Sequence, residues 1–111
     1  MLYIDSDNNI KLTRGDSATL TLTVTKDGAA YDYSNDLTQF TVKRNTVTEE
    51  IIIQKTFSGN SIAITPNDTK NLYYSDLVYD VQLITPGGEV HTVIGPRKFE
   101  ITQEVNFNAN R

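Results

Sequence analysis

Hydrophobic and polar residues alternate along several short stretches of this chain. The clearest stretch covers residues 18–25, where apolar side chains at even positions alternate with Thr19, Thr21, Thr23 and Thr25. A period of two is typical of a strand with one buried face, so we expect a strand here whose exposed face is threonine. Lys26-Asp27-Gly28 follows and predicts a tight turn, because aspartate and glycine tolerate backbone angles that β-branched residues resist.

The middle of the chain contains two further β-rich runs. Phe40 and Val42 alternate with polar residues, and Ile51–Phe57 is a second run that we expect to pair with them. Ser58-Gly59-Asn60 then predicts a reversal, so Ile51–Phe57 and Ser61–Thr65 are expected to form a hairpin. Pro66, flanked by capping residues, predicts a single helical turn between Thr65 and Leu72.

The last third of the chain predicts a second hairpin. Tyr79, Val81 and Leu83 alternate with polar residues, and Thr85-Pro86-Gly87-Gly88 reverses the chain into Glu89–Ile94. Gly95-Pro96 predicts a bulge or bend in the final strand. Beyond it, apolar residues occupy one odd-numbered register in which Gln103 is the polar exception: Phe99, Ile101, Val105 and Phe107.

These elements predict an all-β fold. Seven or eight short strands joined by glycine- and proline-containing turns are typical of an antiparallel, immunoglobulin-like β-sandwich, although a small β-barrel has similar strand spacing. The chain contains no cysteine and no tryptophan, so it cannot form the cysteine–tryptophan core of antibody domains. We expect one domain over residues 1–107, followed by a frayed polar tail at 108–111.

Composition removes several classes of function. The 111 residues contain no cysteine and one histidine, which excludes a disulfide framework, a thiol nucleophile and cysteine-ligated zinc. The net charge of −4 argues against binding to nucleic acid or to an anionic membrane surface. The amino end lacks the apolar run of a signal peptide, and no stretch has the length of a membrane span.

Three short motifs suggest chemistry but have simpler explanations. Arg14-Gly15-Asp16 matches the tripeptide that integrins bind, yet before a strand it is more typical of a turn. Asp5, Asp7 and Asn9 have the spacing that opens a calcium loop, but Ile10 occupies the position that requires glycine. His91 lacks a Gly-x-Ser-x-Gly partner motif, which makes a small hydrolase improbable. We therefore assign no catalytic residue, no metal site and no cofactor.

The tyrosines and the threonine row are the candidate contact residues. Tyr31, Tyr33, Tyr73, Tyr74 and Tyr79 are able to form an aromatic platform for a sugar or a protein partner. Tyr79 belongs to the inward register, so we expect it to anchor the 66–72 corner through its hydroxyl. Tyr73 and Tyr74 lie in a connection and are candidates for partner contact, and Thr19, Thr21 and Thr23 are candidates for receiving another strand, a sugar or a second subunit.

Five segments together resemble small proteins encoded in prophages of Gram-positive bacteria. The segments, in chain order, are Ile10–Asp16, Thr65–Thr69, Tyr79–Leu83, Thr85–Val90 and Gly95–Ile101. Their strand pattern is similar to the amino-terminal domain of phage baseplate upper proteins, which attaches host-recognition fibres to the tail. The resemblance carries no catalytic or metal residue, and it does not extend to the long fibre-forming carboxyl region of those proteins.

The resemblance implies a setting in a phage particle. We expect a non-enzymatic virion protein of the tail, baseplate, fibre or capsid, assembled in the bacterial cytoplasm and docking onto other phage structural proteins, with self-association also open. The alternative is a carbohydrate-binding or adhesin-like module that recognises a bacterial surface glycan through Tyr73, Tyr74 and the threonine row.

Overall fold

Ten strands and one helical turn make up the protein in a computed structural model, which describes residues 1–72 and 75–103. Of the described residues, 53% lie in strands and 4% in the helical turn, so the all-β prediction is confirmed. In chain order the elements are β1 (Leu2–Ile4), β2 (Ile10–Thr13), β3 (Ala18–Thr21), β4 (Thr25–Lys26), β5 (Ala29–Ala30), β6 (Leu37–Lys43), β7 (Ile53–Thr56), β8 (Ser61–Ile64), α1 (Pro66–Thr69), β9 (Ser75–Ile84) and β10 (Val90–Thr102).

The larger layer is a curled six-stranded sheet shaped like half a barrel, with strand order β1-β2-β10-β9-β6-β7. All neighbours in it are antiparallel except β2 and β10, which run parallel. The expected purely antiparallel arrangement is therefore wrong at this pair. The register sets Ile10 beside Phe99 and Leu12 beside Ile101, so the parallel pairing places the apolar residues of both strands on the buried face.

The smaller layer is the antiparallel ribbon of β3 and β8. Its inward side chains, Leu20, Ile62 and Ile64, belong to the same buried cluster as the inward side chains of the six-stranded sheet. The core therefore lies between the two layers. Its largest fully buried side chains are aromatic or branched aliphatic residues such as Phe40, Phe99 and Leu12, whose burial is the main favourable term for such a fold.

The expected hairpin between Ile51–Phe57 and Ser61–Thr65 is wrong. β7 pairs with β6, β8 pairs with β3, and Ser58 and Ser61 form only an isolated bridge. The chain leaves one layer for the other at Gly59, where φ is +64°. This crossing lets Ile53 enter the core from the six-stranded sheet and Ile62 from the ribbon.

The other predicted turns are confirmed. Asp27 and Gly28 have φ of 53° and 82° between β4 and β5, as a tight hairpin turn requires. The Thr85–Gly88 turn closes with a 2.9 Å bond from the Gly88 N–H to the Thr85 carbonyl.

The strand predicted over residues 18–25 is shorter than expected, because β3 ends at Thr21. Exposed threonines nevertheless alternate with less exposed residues through Thr25. Val105, Phe107, the domain boundary at 107 and the tail at 108–111 lie outside the described residues.

Candidate functional site

The outward side chains of the β3–β8 ribbon are small and uncharged. Thr19 lies opposite Ala63 and Thr21 opposite Ser61, and the exposed side chains alternate with the buried ones on both strands. The outward residues, which we call the threonine face, are Ser17, Thr19, Thr21, Thr23, Ser61, Ala63 and Thr65. The candidate residues Thr19, Thr21 and Thr23 are thus together and accessible to a partner.

The predicted tyrosine platform is not formed by Tyr31 and Tyr33. Tyr33 is only 8% exposed, and its hydroxyl donates a 2.6 Å hydrogen bond to the Leu22 carbonyl. Tyr31 is half-buried and donates to Asp36 at 2.8 Å, a bond that raises the pKa of the tyrosine. The hydroxyls of both tyrosines therefore donate hydrogen bonds within the protein. Tyr73 and Tyr74 lie outside the described residues.

Tyr79 is buried as expected, but its predicted role at the 66–72 corner is wrong. Its hydroxyl donates instead to the main-chain carbonyl of Asn8. Burial raises the pKa of Tyr79 to about 12. The 66–72 corner is held by another pair of contacts: the Gly15 N–H donates to Thr69 Oγ1 at 2.8 Å, and the Arg14 guanidinium donates to the Leu72 carbonyl at 3.0 Å.

The remaining sequence motifs have structural roles. Arg14 is buried, and Arg14-Gly15-Asp16 forms a turn closed by a bond from the Asp16 N–H to the Thr13 carbonyl, as the turn interpretation predicts. Asp5 accepts hydrogen bonds from the side chain and N–H of Asn9 and from the Asp7 N–H, which lower its pKa. Over residues 1–72 and 75–103, no three acidic or histidine side chains cluster as metal ligands.

His91 is exposed near the start of β10. Its Nε2 atom lies 3.3 Å from a carboxylate oxygen of Glu89, and the structure describes no hydroxyl nucleophile in contact with it. A catalytic histidine needs a nucleophile and an orienting acid in contact, together with a site that excludes water. The contact that the structure shows for His91 is this surface pairing with Glu89.

A polar groove lies on the outer face of the six-stranded sheet, on the layer opposite the threonine face. It encloses about 290 Å³ between the outward side chains of β6, β7 and β9 and the loop before β7. We call it the Asp80 groove. Its polar side chains are Thr41, Lys43, Asn45, Thr46, Gln54, Asp80 and Gln82, and its apolar ones are Ile51, Val78 and Pro96.

Strand register determines the centre of this groove. Thr41 lies opposite Asp80 on one side and opposite Gln54 on the other. On β10, Ile94 pairs with Val81 and Arg97 with Tyr79, so Gly95 and Pro96 both oppose Asp80. This two-against-one arrangement is a β-bulge, which commonly bends a sheet beside a functional site.

The carboxylate of Asp80 is partly desolvated. Burial raises its pKa, and the positive charge of Lys43 only partly offsets that effect. None of the residues described in the structure donates a hydrogen bond to this carboxylate. Nearby, Gln54 Nε2 donates to Thr41 Oγ1 at 3.2 Å. In the loop before β7, the side-chain Oδ1 of Asn45 accepts hydrogen bonds from the N–H groups of Val47 and Thr48.

The sequence patterns did not reveal this groove. Thr41, Asp80 and Gln54 are far apart in the chain and become neighbours only through strand pairing. The one available signal was Gly95-Pro96, which predicted a bulge without indicating which residue would oppose it.

No helix in the described part of the chain is long and apolar enough to span a membrane. Comparison with known proteins gives no further assignment. No family model matches the chain, and no match is found among curated proteins or among solved structures.

Proposed function

We propose that this chain is a non-enzymatic structural module of a phage particle that docks onto another virion protein through the threonine face. The observation that carries the docking proposal is the composition of that face. Charged residues form 22% of the chain, yet none occupies the outward positions of β3, β8 and their flanking residues. Depletion of charge is a property of the centres of protein interfaces.

A face of small residues suits close packing against a second sheet. Sheets pack face to face at a separation of about 10 Å, and long charged side chains would prevent that approach. Threonine is stiff about its first side-chain torsion, so ordering Thr19, Thr21 and Thr23 in an interface costs little entropy. Their hydroxyls remain able to hydrogen-bond across the contact. The partner expected from this chemistry is another uncharged, β-rich surface.

The phage setting of the proposal is supported by the sequence resemblance to prophage-encoded proteins. Our proposal places the chain in the tail, baseplate, fibre or capsid, with assembly in the bacterial cytoplasm. Mass spectrometry of gradient-purified particles from a lysogen that carries the gene tests this setting. We expect the chain at a stoichiometric copy number, and its absence from the particles would contradict a virion role.

We also propose that the two layers form an immunoglobulin-like sandwich. The proposal is supported by the core between the β3–β8 ribbon and the six-stranded sheet. In a closed barrel, β7 and β8 would continue as hydrogen-bonded neighbours. Measurement of hydrogen bonds by NMR tests the distinction: we expect the Ser58–Ser61 bridge alone between these strands, and a continuous β7–β8 ladder would favour the barrel.

The docking surface is tested with Thr21→Lys, which places a charge at the centre of the threonine face. Its matched control is Thr56→Lys, the same substitution at an exposed strand threonine of the other layer. Each purified variant is mixed with the structural proteins of its own phage, and bound chains are identified by crosslinking. We expect at least tenfold weaker binding for Thr21→Lys and unchanged binding for Thr56→Lys.

Two results would contradict the docking of another virion protein onto this face. Equal binding by both variants would place the interface elsewhere. Sedimentation that shows a dimer, lost on Thr21→Lys and formed without any other protein, would replace the virion partner with a second copy of the chain.

A further inference from the structure

We propose that the Asp80 groove binds a neutral pyranose unit of a carbohydrate. This site is separate from the threonine face, because the two lie on the outward sides of opposite layers. It also differs from the sugar surface expected from the sequence, which used Tyr73, Tyr74 and the threonine row. The inference rests on the shape, the charge balance and the strand context of the groove.

The groove has the size and construction of a small-ligand site. Its volume of about 290 Å³ is close to the lower end of ligand pockets, which is roughly 300 Å³. The bulge at Gly95 and Pro96 lies directly across from Asp80, and the loop carrying Asn45 forms another wall. The outer face of the curled sheet is therefore concave at this place, where Asp80 lies.

The charges of the groove favour a neutral ligand. Asp80 contributes a carboxylate and Lys43 an ammonium group. The carboxylate repels an anionic ligand, and the ammonium group repels a cationic one. The neutral polar groups around them are the amides of Gln54 and Gln82 and the hydroxyl of Thr41. Sugar hydroxyls both donate and accept, so they can donate to the carboxylate and accept from the ammonium and amide groups.

The desolvated carboxylate of Asp80 supplies the strongest contact in this arrangement. A partly buried carboxylate is less well hydrated than an exposed one, which disfavours its ionised form. Two adjacent hydroxyls of a pyranose ring would donate to this carboxylate in place of water, and bonds to a charged acceptor are stronger than neutral ones. The apolar side chains of Ile51, Val78 and Pro96 would contact the C–H surfaces of the ring.

A peptide is a less suitable ligand for this groove. β9 lies between β10 and β6, and β6 lies between β9 and β7, so these two strands are paired on both sides, whereas β7 is the edge strand of the sheet. Peptides that bind sheets commonly add a strand at an unpaired edge and gain affinity from main-chain hydrogen bonds. At this groove strand addition is confined to the free edge of β7, and recognition over β6 and β9 depends on side chains alone.

The experiment combines a glycan array with NMR titration of the isotopically labelled full chain. The array carries neutral monosaccharides, neutral oligosaccharides and bacterial cell-wall polysaccharides, and its hits are titrated as free sugars. We expect binding of at least one neutral sugar, with chemical-shift changes at Thr41, Gln54 and Asp80. Absence of binding to every glycan, or shift changes centred on the threonine face, would overturn the proposal.

Asp80→Asn and Asp76→Asn form a matched pair of variants. Asp76 is an exposed residue at an outward position of the same strand, outside the groove. We expect Asp80→Asn to weaken sugar binding at least tenfold and Asp76→Asn to leave it unchanged. Equal affinities for the two variants would contradict the assigned role of Asp80. Stronger binding of a neutral peptide than of any sugar would identify the groove as a peptide site and overturn the carbohydrate assignment.

Thermal unfolding provides a readout that is independent of the ligand. Ionised Asp80 is disfavoured by burial in the folded chain, so its neutral replacement is expected to raise Tm, while Asp76→Asn is expected to change Tm little. A Tm for Asp80→Asn at or below that of the unmodified chain would contradict the desolvation argument. Thr21→Lys is expected to retain sugar binding, which separates failure of this proposal from failure of docking.

Discussion

The hydroxyl of Tyr79, in the middle of β9, donates a hydrogen bond to the main-chain carbonyl of Asn8, 71 positions earlier in the chain. Asn8 has a φ of 67° in the turn between β1 and β2. The same turn is held from β10, where the Arg97 guanidinium donates to the Asp7 carbonyl at 2.9 Å and the Lys98 N–H donates to Asn9 at 3.0 Å. A buried side chain and two surface contacts therefore fix the amino-terminal turn on the central strands.

Replacement of Tyr79 by phenylalanine should isolate the contribution of this hydroxyl. The ring would keep its packing against Phe40, whose centroid is 5.2 Å away, while the Asn8 carbonyl would lose its donor. We expect the free energy of unfolding to fall by about 1 kcal/mol. Urea denaturation measures the change, and hydrogen exchange should increase first at the amides of Asp7 and Asn9. Unchanged stability and exchange would show that the contact is dispensable.

The raised pKa of Tyr79 predicts a dependence on alkaline pH. A tyrosine has a reference pKa of 10.0, and burial raises that of Tyr79 to about 12. The folded chain then holds this proton more tightly than the unfolded chain, so the stabilisation is complete below pH 10 and is lost as pH rises towards 12. Ultraviolet titration should show a late phenolate step that Tyr79→Phe removes. Persistence of that step in the variant would assign it to another of the six tyrosines.

Thr38→Val should stabilise the protein. Thr38 is 2% exposed, and its hydroxyl has no hydrogen-bond partner among the residues that the structure describes. Valine has nearly the same shape and removes a buried polar group whose desolvation is uncompensated. We expect a gain of roughly 1 kcal/mol in the free energy of unfolding, measured by urea denaturation. A loss of stability would mean that the hydroxyl is hydrogen-bonded in solution.

The same substitution at Thr69 should have the opposite effect. Thr69 is fully buried, but its Oγ1 accepts a 2.8 Å hydrogen bond from the Gly15 N–H. Valine would leave that buried N–H without an acceptor and loosen the contact between α1 and the turn before β3. We expect a loss of about 1–3 kcal/mol, measured alongside Thr38→Val. Changes of the same sign at both sites would contradict the role of hydrogen bonding in the difference.

Local features of this fold could be predicted from the sequence because they depend on neighbours in the chain. Alternation at 18–25 predicted which threonines are exposed, and Asp27-Gly28 predicted a turn that needs positive φ. Thr65-Pro66 predicted the helical turn of α1 for the same reason. These signals are local properties of backbone sterics and side-chain burial.

Long-range pairing could not be predicted in this way. The parallel contact of β2 with β10, and the departure of β8 from β7, depend on which layer each apolar face enters. Ile62 and Ile64 would be buried equally well by either partner strand, so their pattern does not distinguish the two. The hydroxyl of Tyr79 was expected at the wrong corner, and the Asp80 groove was missed, because both depend on this tertiary pairing.

Asp68 is the carboxylate whose contacts make stability sensitive to acid. Burial alone would raise its pKa, but hydrogen bonds from the Thr65 N–H at 2.7 Å and from Lys55, whose ammonium lies 3.0 Å away, outweigh that effect and lower it. The unfolded chain therefore takes up the proton more readily than the folded chain. The stabilisation by Asp68 is complete above its reference pKa of 3.8 and is lost as pH falls through the lower value in the folded chain.

Asp68→Ala tests this contribution, with Asn67→Ala as a control at an exposed position of the same helical turn. At neutral pH we expect Asp68→Ala to lower the free energy of unfolding by about 1 kcal/mol, the usual effect of losing a helix cap. Chemical denaturation at decreasing pH should show the difference from the unmodified chain shrinking as pH falls below 3.8 and disappearing below the lower pKa of the folded chain, where both proteins lack the charge. Asn67→Ala should follow the unmodified chain throughout. A pH-independent penalty for Asp68→Ala would mean that its packing, and not its ionised carboxylate, holds α1 against β7.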